Sequence, residues 1–183
     1  MIIALIIIAV LVVLAAFCIR SYNNFVKLRN RIEESLAQLD VTLKKRFDLI
    51  PNLVETVKGY AAHEKETLEG VINARNSGLN ASTLEDKDLQ SKNLTSALSH
   101  LFAVAENYPE LKANENFMSL QNSLMKIEDE ILMCRKYYNA VVKHFNTATE
   151  TFPSNIIASI FHFTRQTYLS VEESEKQNIK VQF

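Results

Sequence analysis

The chain opens with an uninterrupted apolar run, and this run limits the architecture more than any other part of the sequence. From Met1 to Ile19 there is no charged residue, Gly or Pro, and thirteen residues are Ile, Leu, Val or Phe. A helix of that length rises roughly 28 Å, close to the hydrocarbon thickness of a bilayer. Each of these side chains favours insertion by roughly 0.3–0.6 kcal/mol near the membrane centre. The run predicts a transmembrane anchor over residues 1–19.

Two other interpretations of this run are a cleaved secretory signal and a lipoprotein signal. A secretory signal carries a basic region before its apolar core and small residues at its cleavage site. Here the apolar run begins at Ile2, and the only candidate cleavage site lies near Ala15 and Ala16. A lipoprotein signal would end at Cys18 after a small residue, where this chain has Phe17. We therefore expect an uncleaved anchor.

The orientation of the anchor is predicted from the charges that follow it. Arg20, Lys27, Arg29 and Arg31 come directly after the apolar run, and only the α-amino group precedes it. Basic flanks stay on the cytoplasmic side of membrane proteins. We expect the N-terminus outside and the rest of the chain in the cytoplasm.

The composition after the anchor is typical of a few long helices. The chain has only three Gly and three Pro, which are the residues that frequent turns require. A formal net charge of −1 argues against a nucleic-acid partner, which usually demands a basic face. The two cysteines, Cys18 and Cys134, imply no disulfide framework, which weakly favours a reducing compartment.

An apolar stripe with steps of three or four residues continues in helical phase from the anchor. Its members are Phe25, Leu28, Ile32, Leu36, Leu39, Leu43, Phe47, Ile50, Val54 and Val57. Pro51 interrupts the stripe without shifting its phase, and it deprives the carbonyl of Phe47 of its helical donor. The sequence predicts a kink at Pro51 rather than an end, with Gly59 as a second weak point.

The following segments predict two more helices separated by a loop. A helical stretch reaches about Arg75, and residues 76–80 are predicted to form a loop. Ser82 and Glu85 have the spacing of a capping box at the start of a helix over about 84–107. Pro109 is expected to end that helix.

The strongest pattern in the chain is a seven-residue repeat that begins at Phe117. It predicts a long helix with supercoiled packing against its neighbours, ended by Pro153. Its members are Phe117, Leu120, Leu124, Ile127, Ile131, Cys134, Tyr138, Val141, Phe145, Ala148 and Phe152. Ser154 is expected to cap a short apolar helix. Residues 170–183 form a polar tail, in which alternating Ile179, Val181 and Phe183 suggest an extended segment.

We therefore predict an all-α protein, in which an N-terminal transmembrane helix is followed by a bundle of long helices. The predicted domains are an anchor over residues 1–19, a bundle over 20–169 and the tail over 170–183. No catalytic, cofactor-binding or metal site is predicted. His63 and Glu64 begin a metalloprotease-like motif, but Thr67 occupies the position of the second zinc-binding histidine.

One segment around Pro51 concentrates polar and special residues. Its simplest explanation is a kinked helix whose freed backbone groups need polar partners. The functional alternative is a candidate interaction surface for a partner protein. Its predicted members are Arg46, Asp48, Asn52, Glu55, Lys58, Tyr60 and His63.

Several motifs of the chain resemble the LemA family of bacterial membrane proteins. The longest is residues 38–60, which read QLDVTLKKRFDLIPNLVETVKGY, followed by HEKETL at 63–68 and ENYPELKA at 106–113. The likeness continues through Ala74-Arg75, Asn116-Phe117, Tyr138-Asn139 and Phe152-Pro153. Two places depart from the usual family pattern. Ser35-Leu36 replaces Ala and an aromatic residue, and His162-Phe163 replaces a common Gly-Phe pair.

The resemblance implies an N-terminal anchor in the bacterial inner membrane, an antiparallel helical bundle and a cytoplasmic domain. It implies no agreed enzymatic activity, so no catalytic residues can be transferred to this chain. Some relatives are linked with membrane proteases or with organelle-like membrane compartments, which serves here as an analogy.

The leading hypothesis from the sequence is a non-catalytic, membrane-anchored scaffold or interaction protein that contacts the lipid bilayer and an unknown protein partner. The alternative is an accessory to, or a part of, a membrane-associated hydrolase or protease. A polar cluster joining His63 to Glu106 or Arg135 would favour this alternative. Self-association through the stripe from Phe117 to Phe152 is a third possibility.

Overall fold

The computed structural model describes residues 1–170, and these residues form helices without any strand. The helices are α1 (Ile2–Lys58), α2 (Lys65–Asn80), α3 (Leu84–Ala105), α4 (Pro109–Lys112), α5 (Glu115–Glu150) and α6 (Ser154–Ile160). The predicted all-α class is confirmed. The predicted extended segment at Ile179, Val181 and Phe183 lies outside the described residues.

Helix α1 joins the apolar N-terminal run to the polar body without a break. Its 57 residues include an 18-residue window with a mean hydropathy of 3.5, in which no residue is buried by the fold. Among the helices of residues 1–170, α1 is the one that is long and apolar enough to cross a membrane. Pro51 lies inside the helix, which ends at Lys58 just before Gly59. The expectation that Pro51 does not end the helix is confirmed.

The described chain forms two compact units, and α1 and α5 contribute to both. The anchor unit comprises Met1–Gln38 and Cys134–Tyr168. Its core is aromatic: Phe25 lies 5.8 Å from Phe145 between ring centroids, and Phe163 stacks on Phe25 at 4.8 Å. The segment after α6 is held to α5 by Asn146, whose amide donates to the carbonyl of Gln166 and accepts from its backbone N–H.

The bundle unit comprises Leu39–Met133 and the segment that begins at Leu169. Only Ala81 to Thr83 separate α2 from α3, so the two helices pack as antiparallel neighbours. The interior of this unit is mainly aliphatic. Its fully buried side chains include Ile50, Leu53, Val71, Leu94, Leu101 and Leu111.

Two predictions about the ends of helices in the bundle unit are wrong. Residues 76–80 are the last turns of α2 rather than a loop. Thr83, not Ser82, caps α3, because its hydroxyl accepts the backbone N–H of Asp86 at 3.1 Å. Helix α3 ends before Pro109 as predicted, at Ala105 rather than near residue 107, and Pro109 begins α4 at a position where proline's missing N–H costs no hydrogen bond.

The seven-residue repeat of α5 is buried along most of its length. Phe117, Leu124, Ile131, Tyr138 and Phe145 are at most 3% exposed. Phe152, the last member of the predicted stripe, is 81% exposed because α5 ends at Glu150. Helix α6 is present as predicted, with Pro153 rather than Ser154 in the capping position.

Candidate functional site

The fold supplies a partner for the backbone carbonyl that Pro51 leaves without a helical donor. The side-chain Nε of Arg75 on α2 donates to the carbonyl oxygen of Phe47 at 2.9 Å. A buried carbonyl without a partner would cost about 1–3 kcal/mol. The contact therefore joins α2 to α1 at the point where the proline weakens α1.

A glycine allows α2 to approach the same turn of α1. A Cβ added at Gly78 would lie 2.6 Å from Cζ of the Phe47 ring, which is closer than packed carbon atoms approach. The backbone of α2 at Gly78 therefore lies directly on this ring. The contact places the last turns of α2, residues 76–80, against α1.

Arg46 differs from the other members of the predicted interaction surface, because its side chain is fully buried. Its Nη1 donates to Glu128 at 2.7 Å and to the hydroxyl of Thr95 at 3.0 Å. Its Nη2 donates to the hydroxyl and the carbonyl oxygen of Ser91, at 2.8 and 3.2 Å. The assignment of Arg46 to an exposed surface is wrong. It joins α1, α3 and α5 from inside the bundle unit.

The remaining predicted surface residues are exposed around the end of α1: Asp48, Asn52, Glu55, Lys58, Tyr60 and His63. Asp48 pairs with Lys44 at 2.8 Å, and Lys58 lies 3.7 Å from Glu55. The hydroxyl of Tyr60 accepts from the amide of Asn114 at 3.0 Å. Their use as a docking surface stays a prediction.

Glu64 and Tyr108 link the segment after α1 to the start of α4. The Tyr108 hydroxyl donates to Glu64 Oε1 at 2.8 Å. This hydrogen bond raises the pKa of Tyr108 above its usual value, and burial and the carboxylate charge act in the same direction. Glu106 instead pairs with Lys112. Among residues 1–170 no group of His, Cys, Asp and Glu is arranged to hold a metal ion.

An open groove between α3 and α5 was not predicted from the sequence. It has a volume of about 280 Å³. Its lining combines apolar and hydroxyl side chains with two carboxylates: Thr95, Leu98, Ser99, Phe102, Leu124, Met125, Glu128 and Asp129. Met125 is 58% exposed at its rim. A sequence signal existed, since Met125 directly follows the stripe residue Leu124, but the opposite wall comes from another helix.

A model of the LemA family matches residues 35–183 of the chain. The chain belongs to the LemA family. Two relatives from Paramagnetospirillum magneticum, Magnetosome protein MamQ 1 and MamQ 2, are each 28% identical to this chain. Each alignment covers 90% of this chain and 71% of the relative. Protein LemA of Metamycoplasma hominis is 25% identical over 85% of this chain and 75% of its own length.

The match to the family model confirms the resemblance to the LemA family that the sequence motifs indicated. The matched region includes the Pro51 turn, the Arg46 cluster and the groove, and it begins at Ser35. None of the matched names states a catalytic activity. The family and the apolar part of α1 together describe a membrane-associated helical protein.

Proposed function

We propose that this chain is a membrane-anchored interaction protein that binds a helical segment of a partner in the groove between α3 and α5. The observation that carries this proposal is the groove itself. Leu98 and Leu124 form a buried apolar floor, and Phe102 and Met125 remain accessible at its sides. An amphipathic helix buries its apolar face in grooves of this kind.

The size and chemistry of the groove favour side chains of a protein over a small cofactor. Its volume of about 280 Å³ is at the lower edge of the range of roughly 300–1,000 Å³ that is usual for ligand pockets, and the groove is open rather than enclosed. The thioether of Met125 is flexible and adapts to different apolar surfaces. A few apolar anchors of a partner helix would fit this space.

The charge of the bundle unit favours a basic partner. Residues 39–133 contain fifteen Asp or Glu against ten Lys or Arg. Asp129 is exposed beside the groove, and Glu128 is half-buried with Arg46 and Thr95 as its partners. Complementary charge speeds encounter and selects among partners. The proposed partner segment therefore carries Lys or Arg next to its apolar face.

The proposed location is the inner membrane, with the helical body in the cytoplasm. The basic residues that follow the anchor support this orientation. A C-terminal alkaline phosphatase fusion tests it, with a C-terminal fluorescent protein fusion as the matched reporter. We expect an inactive phosphatase and a fluorescent second fusion, whereas an active phosphatase would refute the orientation.

Site-specific photocrosslinking in intact cells tests the docking proposal. A photoreactive amino acid replaces Met125 at the groove, and the matched control replaces the exposed Lys126, which does not line the groove. We expect a reproducible adduct from position 125 only. The crosslinked peptide, located by mass spectrometry, should be an apolar segment with basic flanks.

The substitution Phe102→Asp should abolish this adduct, because it removes an apolar side chain of the groove and places a charge where the apolar face of the partner helix would be buried. Equal crosslinking from positions 125 and 126 would contradict the proposal. An adduct that persists in the Phe102→Asp variant would contradict it as well. Circular dichroism of that variant checks that the fold is kept.

A further inference from the structure

Helix α6 leaves an apolar face exposed in the anchor unit. Ile156 is 50% exposed, Ile160 is 60% exposed, and Phe161, the residue after the helix, is 50% exposed. Ile156 and Ile160 are four residues apart and are therefore neighbours on one face of the helix. Contiguous exposed apolar side chains mark interaction surfaces with proteins or membranes.

A direct contact with α1 places this face near the end of the anchor. The ring of Phe161 lies 4.7 Å from the ring of Tyr22 between centroids. Tyr22 is three residues beyond Ile19, the last apolar residue of the anchor, which corresponds to about 4.5 Å along the helix axis. The headgroup region adds roughly 5–8 Å to each side of the hydrocarbon core. Tyr22 therefore lies at headgroup depth when the anchor fills the core, and Phe161 is in contact with it.

The charge of the anchor unit also fits a lipid surface. Its residues, 1–38 and 134–168, contain eight Lys or Arg against three Glu. Basic residues near a membrane are attracted to anionic headgroups by about 1 kcal/mol each. Tyr22 is an aromatic residue of the kind enriched at the membrane interface. The excess of basic residues distinguishes this unit from the acidic residues 39–133.

We propose that Ile156, Ile160 and Phe161 form an interfacial foot that inserts into the headgroup layer of the bilayer that α1 crosses. The occupant of this apolar face is lipid. The chain then contacts the membrane at two places, the spanning helix and the foot. The proposal rests on the anchor crossing a membrane and is independent of partner binding in the groove.

The absence of tryptophan from the sequence allows a direct test. The full chain is reconstituted into vesicles of phosphatidylcholine and phosphatidylglycerol with a single tryptophan at the foot, Ile160→Trp. The matched control is Met133→Trp, since Met133 is 65% exposed and belongs to the bundle unit. Tryptophan emission is measured with brominated phosphatidylcholine as a quencher in the lipid and acrylamide as a quencher in water.

We expect blue-shifted emission from Ile160→Trp, with bromolipid quenching several-fold stronger than that of Met133→Trp and weaker acrylamide quenching. Ile156→Trp should behave in the same way, and it carries the test if circular dichroism shows that Ile160→Trp is misfolded. Equal bromolipid quenching at the foot and the control would overturn the proposal. So would a blue shift without bromolipid quenching, which would indicate a protein or a second copy as the occupant.

Extraction of the membranes with alkaline carbonate separates this outcome from a failure of the anchor. Spanning proteins stay in the membrane under this treatment. A chain that is retained after extraction but is not quenched at position 160 would disprove the foot and leave the anchor and the docking proposal standing.

Discussion

The two partners of the buried ion pair should differ in how much their loss destabilises the bundle unit. The side chain of Arg46 is 0% exposed, whereas that of Glu128 is 31% exposed. Removing Glu128 leaves a buried guanidinium without its counter-ion. Removing Arg46 leaves a carboxylate that can still reach water. The prediction is that Glu128→Ala destabilises the fold more than Arg46→Met.

The magnitudes follow from the contacts on each side. Leaving a buried charge unpaired costs about 3–5 kcal/mol, which we expect for Glu128→Ala. Methionine fills much of the volume of arginine, so Arg46→Met mainly removes hydrogen bonds. In this variant the carbonyl oxygen of Ser91 still accepts a hydrogen bond from the Thr95 hydroxyl at 3.1 Å. The main cost is therefore the hydrogen bond that the Ser91 hydroxyl accepts from Arg46. We expect about 1–3 kcal/mol for Arg46→Met.

The measurement is urea unfolding of the full chain in detergent micelles, followed by the loss of helical circular dichroism. The control is Asp40→Ala, which removes the exposed pair between Asp40 and Lys87. That pair should contribute less than about 1 kcal/mol. The dependence of the unfolding free energy on urea must be the same for all variants. If Arg46→Met proved as destabilising as Glu128→Ala, the reasoning from burial would be refuted.

Two further predictions concern the contacts between α1 and α2. Gly78→Ala places a methyl group against the ring of Phe47 and should destabilise the fold by about 1–3 kcal/mol. Gly70→Ala, on the same helix with open space at its Cβ, should instead stabilise it by roughly 0.5–1 kcal/mol. Equal effects of these two substitutions in urea unfolding would contradict the close approach at Gly78. Arg75→Ala should cost about 1–3 kcal/mol in the natural chain and clearly less in a Pro51→Ala background, because alanine restores a backbone donor for the carbonyl of Phe47. A double-mutant cycle measures this coupling, and strict additivity would disprove it.

The helical architecture could be predicted because its cause is periodic. Steps of three and four residues placed Phe25, Ile32, Leu39 and Ile50 on one face, and all four are buried. The scarcity of Gly and Pro indicated few breaks, and α1 indeed continues from Ile2 to Lys58. Because such a pattern is local in sequence, a helix can be predicted from it without knowing which helices pack together.

The features that the sequence analysis predicted wrongly or missed are determined by contacts between helices. Arg46 lies three residues after Leu43 and four before Ile50, so its position on the buried stripe was visible in the sequence. Its partners Ser91 and Glu128 lie on other helices, and no local pattern identifies them. The groove was missed for the same reason, because its two walls are distant in sequence.

The backbone conformation of His162 explains why many members of the family have glycine at this position. Its backbone φ is 56°, a left-handed conformation that glycine adopts without strain. The resemblance placed a common glycine at this position, and the structure explains why. The turn places Phe163 against Phe25 and Phe145 in the core of the anchor unit.

The transmembrane anchor continues without a break into the rest of the anchor unit, and this affects how the chain would meet other proteins in the same membrane. A flexible linker would let the body rotate freely, and each binding event would then lose that freedom. Here residues 2–38 belong to a single helix, so the orientation of the anchor unit is coupled to the tilt and rotation of the spanning segment. A partner embedded in the same bilayer would meet this unit already aligned, after a search confined to two dimensions.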